Sequence, residues 1–473
     1  MKKAFALILA AVLLCTASCG GSGGSAVTDG TKETGQKTEL ITETTGGGDM
    51  TEPIFNPDGG ENTLYHIILL GQSLSMGYSA TGEVKPCKSE RAFMFRQVRT
   101  QDLGYCLGIS REEYNADPEK YDSMFYAGLN PLAETGGDGN PDTRWEDASW
   151  NEYETPASGI VSGLYNAYRQ AGYDDIPYRV LVSAPGIGGT PMSDFGAGGK
   201  IYRRAEKDIE NGKRLAAENG LDYRVLAFIW IQGEAESYLS VPAVDYAKGL
   251  VSTRKLYTRL AKKVTGQEET PEFVTYQTAT VAVYNPTARQ IAPLGQFAAA
   301  YDGKNGIALS APCYQFEPAG DNVHLTGISS RNLGILLGQT LYERTHGQYR
   351  IFAPEKVTVS GRKAEITFPF RVAIDPDAPL ASCDFYTATR QSGFVCRGKD
   401  GKALECSVSL SDDGYTLTLE CDGNISEISY GYDPHAEADR QFTCGGNICL
   451  AGKITGYDGE LALFMPVQDI YRS

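Results

Sequence analysis

Between residue 63 and about 348 the chain alternates two patterns, and this alternation restricts the possible folds more than any other feature. Nearly unbroken apolar runs occur at 64–70 (LYHIILL), 178–184 (YRVLVSA), 223–231 (YRVLAFIWI), 272–277 (EFVTYQ) and 307–310. Between them lie stretches of helical spacing at 157–171, 201–219, 242–263, 288–301 and 328–344, the second of them stopped by Gly220. A strand that is apolar on both faces must be covered on both faces, which helical crossovers achieve and tight hairpins do not. The pattern therefore predicts an α/β domain of three layers, a parallel sheet flanked by helices.

Two further regions depart from this rhythm. Residues 80–150 carry Pro86, Pro131, Pro141, a Gly-Gly-Asp-Gly-Asn run and the aromatics Trp145 and Trp150. Aromatic residues in so long an insert predict an ordered, site-building loop, with Trp145 and Trp150 either stacked on a sugar ring or packed. The acidic stretch 138–147 lacks the calcium-loop pattern. After residue 351 the period changes to two, at 356–367, 415–419 and 425–430, with a turn at Asp412-Asp413-Gly414. That predicts a small all-β, sandwich-like domain over 351–473, read first as a packing module without a ligand.

The start of the chain reads as an address. Lys2 and Lys3 precede an apolar run at 4–14, too short to span a bilayer, and small residues at 16–18 precede Cys19. This resembles a bacterial lipoprotein processing site, with 1–18 as the signal peptide and Cys19 as the lipidated residue. Residues 19–62 are rich in Gly, Ser, Thr, Asp and Glu, which predicts a flexible tether. The expectation is an exported, cell-surface or periplasm-facing protein that meets the membrane through its lipid anchor alone. The formal charge of −16 argues against nucleic acid and anionic lipid as partners, because phosphates would be repelled.

Eleven cysteines include Cys15 and Cys19. Of the remaining nine, Cys383, Cys396, Cys406, Cys421, Cys444 and Cys449 cluster late in the chain, while Cys87, Cys106 and Cys313 are scattered. An exported chain permits disulfides, and the odd total leaves at least one free thiol. No CxxC pair and no paired histidines accompany them, so no metal site is expected.

Three polar or glycine-rich signatures fall just after apolar runs: Gly71-Gln72-Ser73, the block 186–190 (GIGGT) and Gln232-Gly233-Glu234. A fourth, Asp321-Asn322-Val323-His324, precedes the last helical stretch. In open parallel sheets, ligands gather at the carboxyl ends of strands. A serine, a histidine, a carboxylate and glycine-rich backbone donors form the inventory of a serine acyl hydrolase. Each also has a plainer reading: Ser73 as a helix cap, 186–189 as a turn, Gln232 and Glu234 as satisfied strand-end groups, His324 as a structural cap. Of the other histidines, His66 lies within a strand as a core residue, while His346 and His435 fall away from Ser73.

Taken in order, Gly71-Gln72-Ser73, Gly188-Gly189-Thr190, Trp230-Ile231-Gln232-Gly233-Glu234 and Asp321-x-x-His324 resemble the SGNH hydrolases, in particular their sialate O-acetylesterase-like and acetylxylan-esterase-like branch. Leu74-Ser75 stand where that branch commonly has Asn-Met, and Leu325 where proline is common. The resemblance spans 63–348. It implies Ser73 as nucleophile, His324 as general base then acid, and Asp321 as its orienting carboxylate. It also implies an oxyanion hole of the Ser73 and Gly189 backbone N–H groups and the Gln232 side chain, with Glu234 behind Gln232 or a loop. The implied reaction removes acetyl groups from carbohydrate, without metal or cofactor. A lipase or thioesterase acting on longer acyl esters and a non-catalytic carbohydrate-binding lipoprotein are the alternatives.

Overall fold

The computed structural model describes residues 55, 57, 60–80, 86–100, 107, 109–134, 154–278, 291–321, 323–376, 391–435 and 445–473. The signal-like start, Cys19, most of the tether, Trp145, Trp150 and the acidic stretch 138–147 lie outside them. The last part of the predicted tether is not free: Phe55 is buried in the apolar core, its ring 6.0 Å from that of Tyr65, because the chain must settle onto β1 before entering it.

Seven strands form the first sheet: β1 (Thr63–Gly71), β2 (Ala92–Met94), β3 (Asn130–Pro131), β4 (Arg179–Ser183), β5 (Asp222–Ile231), β6 (Glu272–Gln277) and β7 (Ala308–Pro312). Their order is β3-β2-β4-β1-β5-β6-β7, parallel throughout except for the short edge strand β3. The helices are α1 (Arg111–Ala116), α2 (Pro118–Phe125), α3 (Pro156–Gln170), α4 (Lys200–Glu218), α5 (Glu234–Tyr238), α6 (Ala243–Thr265), α7 (Ile291–Tyr301) and α8 (Gly327–Thr345). Strand β1 shows why both faces need cover. Its Tyr65, Ile67 and Leu69 pack with Ile160 and Leu164 of α3 and Leu333 and Leu337 of α8. Its Ile68 and Leu70 face the other way, toward Ile201 and Ile209 of α4 and Tyr246 and Leu250 of α6. The insert contributes β2, α1, α2 and β3, elements too short to announce themselves by periodicity.

Glycines set how closely α3 and α8 approach. A Cβ on Gly159 would lie 2.2 Å from the Arg331 carbonyl, and one on Gly163 2.2 Å from that of Ile335. On the facing helix, Gly334 would meet the Pro156 carbonyl at 2.2 Å and Gly338 that of Ile160 at 2.1 Å. Two i, i+4 pairs of glycines thus let backbone touch backbone, an approach any side chain would prevent. A buried ion pair marks one end of this crossing. Arg331 Nε donates to Glu154 Oε1 at 2.5 Å, and the Ser330 hydroxyl donates to the Glu154 carbonyl at 2.8 Å.

Beyond α8 the chain is antiparallel. In order it forms β8 (Lys356–Ser360), β9 (Lys363–Thr367), β10 (Val372–Ile374), β11 (Phe394–Arg397), β12 (Ala403–Leu404), β13 (Cys406–Leu410), β14 (Thr416–Cys421), β15 (Glu427–Tyr430), β16 (Ile448–Leu450), β17 (Ile454–Thr455), β18 (Glu460–Leu461) and β19 (Gln468–Arg472). Two four-stranded sheets, β12-β11-β15-β19 and β13-β14-β9-β8, share a core of Ile366, Leu417, Leu419, Phe394, Ile428 and Tyr430. A Cys406–Cys421 disulfide joins paired residues of β13 and β14. Among the described residues Cys87, Cys313, Cys396 and Cys449 are free thiols.

This region packs into the α/β part rather than beside it. Ala462, Phe464 and Val467 belong to the same apolar core as β1, α3 and α8. Two glutamine side chains pair with its backbone as a strand would. Gln277 donates to the Val467 carbonyl at 2.9 Å and accepts from its N–H at 2.8 Å. Gln315 donates to the Ala462 carbonyl at 3.0 Å and accepts from the Phe464 N–H at 3.2 Å. Residues Thr44–Ser473 form one compact unit.

A polar cluster lies buried on the α4 side of the sheet. His66 bonds Tyr223 Oη at 2.6 Å and Ser183 Oγ at 2.9 Å, and burial pushes its imidazole down to about 3. Beside it, Asp208 of α4 accepts from Thr100 Oγ1 and Tyr126 Oη, each at 2.7 Å. Burial pushes the Asp208 carboxyl up to about 7 against these hydroxyl donors.

Two outcomes follow from this packing. Gly334→Val should lower stability by about 1–3 kcal/mol or more in urea unfolding, since the helices must separate. Gly128→Ala, where a Cβ meets nothing within 4 Å, should stay within about 0.5 kcal/mol. The raised Asp208 carboxyl means that the folded state holds its proton more tightly than the unfolded chain, so Asp208 costs stability as pH rises from about 4 to about 7. Asp208→Asn should therefore shrink the fall in Tm between pH 5 and pH 8. A fall equal to that of the unaltered chain would show that Asp208 is not its source.

Candidate active site

Strand order brings the glycine-rich signatures together. β4, β1 and β5 are neighbours, so the segments that follow them open side by side at the carboxyl edge of the sheet. β1 ends at Gly71, where a Cβ would lie 2.2 Å from the Ile231 carbonyl of β5, so only glycine fits. The next N–H, from Gln72, donates to that same carbonyl at 3.1 Å. The chain then turns through a single 3-10 turn, Ser73–Met76, closed by Gly77 at φ 67°. The Ser75 hydroxyl donates to the Gln72 carbonyl at 2.7 Å, and the Tyr78 N–H to the Ser73 carbonyl at 3.0 Å. This double tie fixes Ser73 at the start of the turn, where its own N–H has no acceptor within the helix.

Ser73 Oγ lies 2.7 Å from His324 Nε2, and His324 Nδ1 lies 2.7 Å from Asp321 Oδ2. A carboxylate facing Nδ1 places the ring proton there, so Nε2 is left to accept from the serine hydroxyl. Asp321 is itself held by its own turn: Oδ1 accepts from the backbone N–H groups of Val323 at 3.0 Å and His324 at 2.9 Å. Burial pushes the Asp321 carboxyl up, but the hydrogen bonds and charge of His324 outweigh it and hold it below the usual carboxylate range. The turn is closed by Ala319 N–H on the His324 carbonyl at 2.6 Å, and Thr326 caps α8 immediately afterwards. Ser73 and His324 remain 9% and 8% exposed, enough for contact from outside, unlike the fully enclosed His66.

Gln232, at the end of β5, is fully enclosed. Its amide donates to Glu236 Oε2 and to the Thr190 carbonyl at 3.3 Å, and its carbonyl oxygen accepts from Tyr246 Oη at 3.2 Å. Both amide hydrogens are therefore engaged, and donation to a substrate oxyanion requires one to leave its present acceptor. Gly189 lies in an exposed turn at φ 65°. The block around it is fastened at three points: Ile187 N–H on the Gly71 carbonyl at 3.3 Å, the Thr190 carbonyl on Gln232, and Met192 N–H on Glu236 Oε1. Glu236 thus holds Gln232 with one oxygen and the glycine block with the other, and burial pushes its carboxyl up.

Glu234 faces elsewhere. Its Oε1 accepts from Thr278 Oγ1 at 2.5 Å and from Tyr276 Oη, so it fastens the end of β6 rather than Gln232. The residue that holds the amide is Glu236, absent from the expectations; the i, i+4 spacing from Gln232 was the available signal. Trp230 is core, its indole N–H donating to Tyr246 Oη at 3.1 Å. Among the described residues the one group with metal-ligand spacing is Cys396, Cys406 and Cys421, two of which are already joined as a disulfide.

No protein-family model matches the sequence, and no curated protein matches it. Several solved structures are similar in shape. A carbohydrate acetylesterase from Xanthomonas citri has 12% identity and a TM-score of 0.45, covering 80% of this chain and 78% of its own. A protein from Arabidopsis thaliana has 15% identity and a TM-score of 0.37, covering 60% and 98%. An aryl esterase of M. smegmatis has 11% identity and a TM-score of 0.30, covering 58% and 97%. At such scores the chemistry must be argued from the side chains themselves.

Glu236→Gln keeps the size of the side chain but offers one acceptor to two N–H donors. It should lower Tm and slow the labelling of Ser73 by a fluorophosphonate by roughly tenfold or more, the loss expected where Gln232 serves as the oxyanion donor that the resemblance implies. Labelling at the unaltered rate would remove Glu236 from the support of the site.

Proposed function

We propose that this chain is a serine ester hydrolase that removes O-acetyl groups from carbohydrate. One observation carries the reading: the continuous relay Ser73 Oγ–His324 Nε2–Nδ1–Asp321 Oδ2, with both links at 2.7 Å, at the carboxyl edge of a parallel sheet. The Ser73 oxygen attacks the acetyl carbonyl carbon while His324 Nε2 takes the hydroxyl proton. The tetrahedral intermediate collapses, and the sugar oxygen leaves with that proton from the imidazolium. Water, deprotonated by His324, then attacks the acetyl-Ser73 ester and releases acetate. Asp321, ionised throughout, stabilises the imidazolium formed at each attack. On this reading the oxyanion is received by the Ser73 N–H, with the Gly189 N–H and, once it leaves its present acceptor, the Gln232 amide as further donors.

The substrate class rests on the four motifs in their order, which resemble the carbohydrate O-acetylesterase branch of the SGNH hydrolases. The signal-like start, with Cys19 after small residues, supports an exported lipoprotein that carries this domain on a tether and acts on glycans outside the cell. Among the described residues no helix is long and apolar enough to cross a membrane.

Acetate release should be measured from a panel of acetylated glycans, beside p-nitrophenyl esters of increasing acyl length. Ser73→Ala should abolish release and fluorophosphonate labelling while leaving Tm within a few degrees. Activity that rises with acyl length would replace the acetylesterase reading by a long-chain one. Labelling that persists at another serine would overturn the assignment of the nucleophile.

A further inference from the structure

The loop that follows the nucleophile reaches the far end of the relay as well. Ser79 Oγ donates at 3.1 Å to Asp321 Oδ2, across 242 residues of sequence and onto the same oxygen that accepts from His324 Nδ1. Ser79 is one of three described residues other than glycine with a left-handed backbone, at φ 60°. L side chains avoid that conformation, and here it turns the hydroxyl toward the carboxylate. Beside it, the Tyr78 ring packs on the imidazole, with centroids 4.8 Å apart. The loop is not free to drift. Tyr78 N–H is tied to the Ser73 carbonyl at 3.0 Å, Ala80 N–H to the Gly77 carbonyl at 3.0 Å, and Glu154 N–H to the Ala80 carbonyl at 2.9 Å.

We infer that Ser79 is a positioning residue for the His324–Asp321 pair, set at a fixed offset from Ser73 by the short loop that carries both; this rests on the hydrolase reading of the site. Two backbone N–H groups hold Asp321 Oδ1, but both belong to Asp321's own turn and would move with it. Ser79 is the hydroxyl that ties the carboxylate to the nucleophile side. Its donation also draws charge from Oδ2 and so moderates the pull of Asp321 on the imidazolium. Among the described residues, the groups facing the imidazole are Asp321 from its own turn, and the Ser73 hydroxyl and Tyr78 ring from the nucleophile loop.

Ser79→Gly tests this without disturbing the backbone, because glycine accepts φ 60° readily. The variant should lose roughly tenfold in kcat with KM little changed, the loss expected for one hydrogen bond to a charged group. The acid limb of kcat/KM should move to higher pH by a few tenths of a unit, and the His324 Cε1–H titration followed by NMR should move in the same direction. Ser79→Asn, whose amide can donate and which tolerates the left-handed backbone, should recover part of the loss. A glycine variant with unaltered kcat and an unmoved acid limb would overturn the inference. So would glycine and asparagine variants that are equally slow, since the donor would then not matter. The NMR titration needs no turnover. If it shifts in a chain that hydrolyses no ester, Ser79 still positions His324 and the proposed function alone fails. If esters are cleaved at Ser73 and neither pH readout shifts, the positioning role alone fails.

Discussion

The contact on which this molecule turns is the crossing of α3 and α8, where Gly159 and Gly163 meet Gly334 and Gly338 with no side chain between them. α8 is buried on nearly all sides, so its position is dictated by packing rather than by solvent. His324 and its turn sit just ahead of α8, while Glu154 sits just ahead of α3, where its N–H donates to Ala80 of the loop that follows Ser73. A shift of α8 along α3 would therefore carry His324 away from Ser73. The buried Arg331–Glu154 pair gains little net stability, because both charges must shed water. Its effect is on register: its partners meet only when the two helices are correctly placed along their axes. Burial, and after it Glu134 nearby, push the Glu154 carboxyl up against the pull of Arg331, which is the same cost of shedding water seen from the carboxylate.

Two clusters of serine, histidine and carboxylate stand among the described residues, and their surroundings separate them. Ser183, His66 and Asp208 lie within the sheet's packing, where burial drives the imidazole toward neutrality and the carboxyl toward its protonated form. No substrate reaches them, and their bonds serve to satisfy buried polar atoms. Ser73, His324 and Asp321 stand at the carboxyl edge of the sheet, where the hydrogen bond and charge of His324, with two backbone donors, keep the carboxylate ionised and the serine is reachable. Residue identity is shared; position relative to the sheet edge is what differs.

Much of this was legible in the sequence because burial on both faces leaves a strong trace. The runs at 64–70, 223–231 and 272–277 fall on β1, β5 and β6, and the helical stretches fall on α3, α4, α6 and α8 within a few residues. The Asp321–His324 turn was readable from its spacing. Strand order was not, since nothing local says that β1 lies between β4 and β5. The single period-two run at 356–367 is a hairpin, broken at Gly361 with φ 60°. Glu236 lies outside every helix expected from the sequence, and its importance arises only when Met192 and Gln232 converge on it. The four glycines of the helix crossing were visible at i, i+4 spacing, yet each helix alone gives no reason for them.

The glutamine pairings of Gln277 with Val467 and of Gln315 with Ala462 and Phe464 carry a kinetic consequence. The first joins residues 190 apart in the chain, and both lie at the end of a strand or turn that supports the site. Closing so long a loop is entropically slow, and contacts of this kind delay folding more than they add to stability. On a ribosome, the half that bears Ser73 and His324 would be synthesised well before the segment that seats against it. Until then, the apolar surface that later receives Phe464 and Val467 stays uncovered, a state in which chaperone binding and aggregation compete with completion.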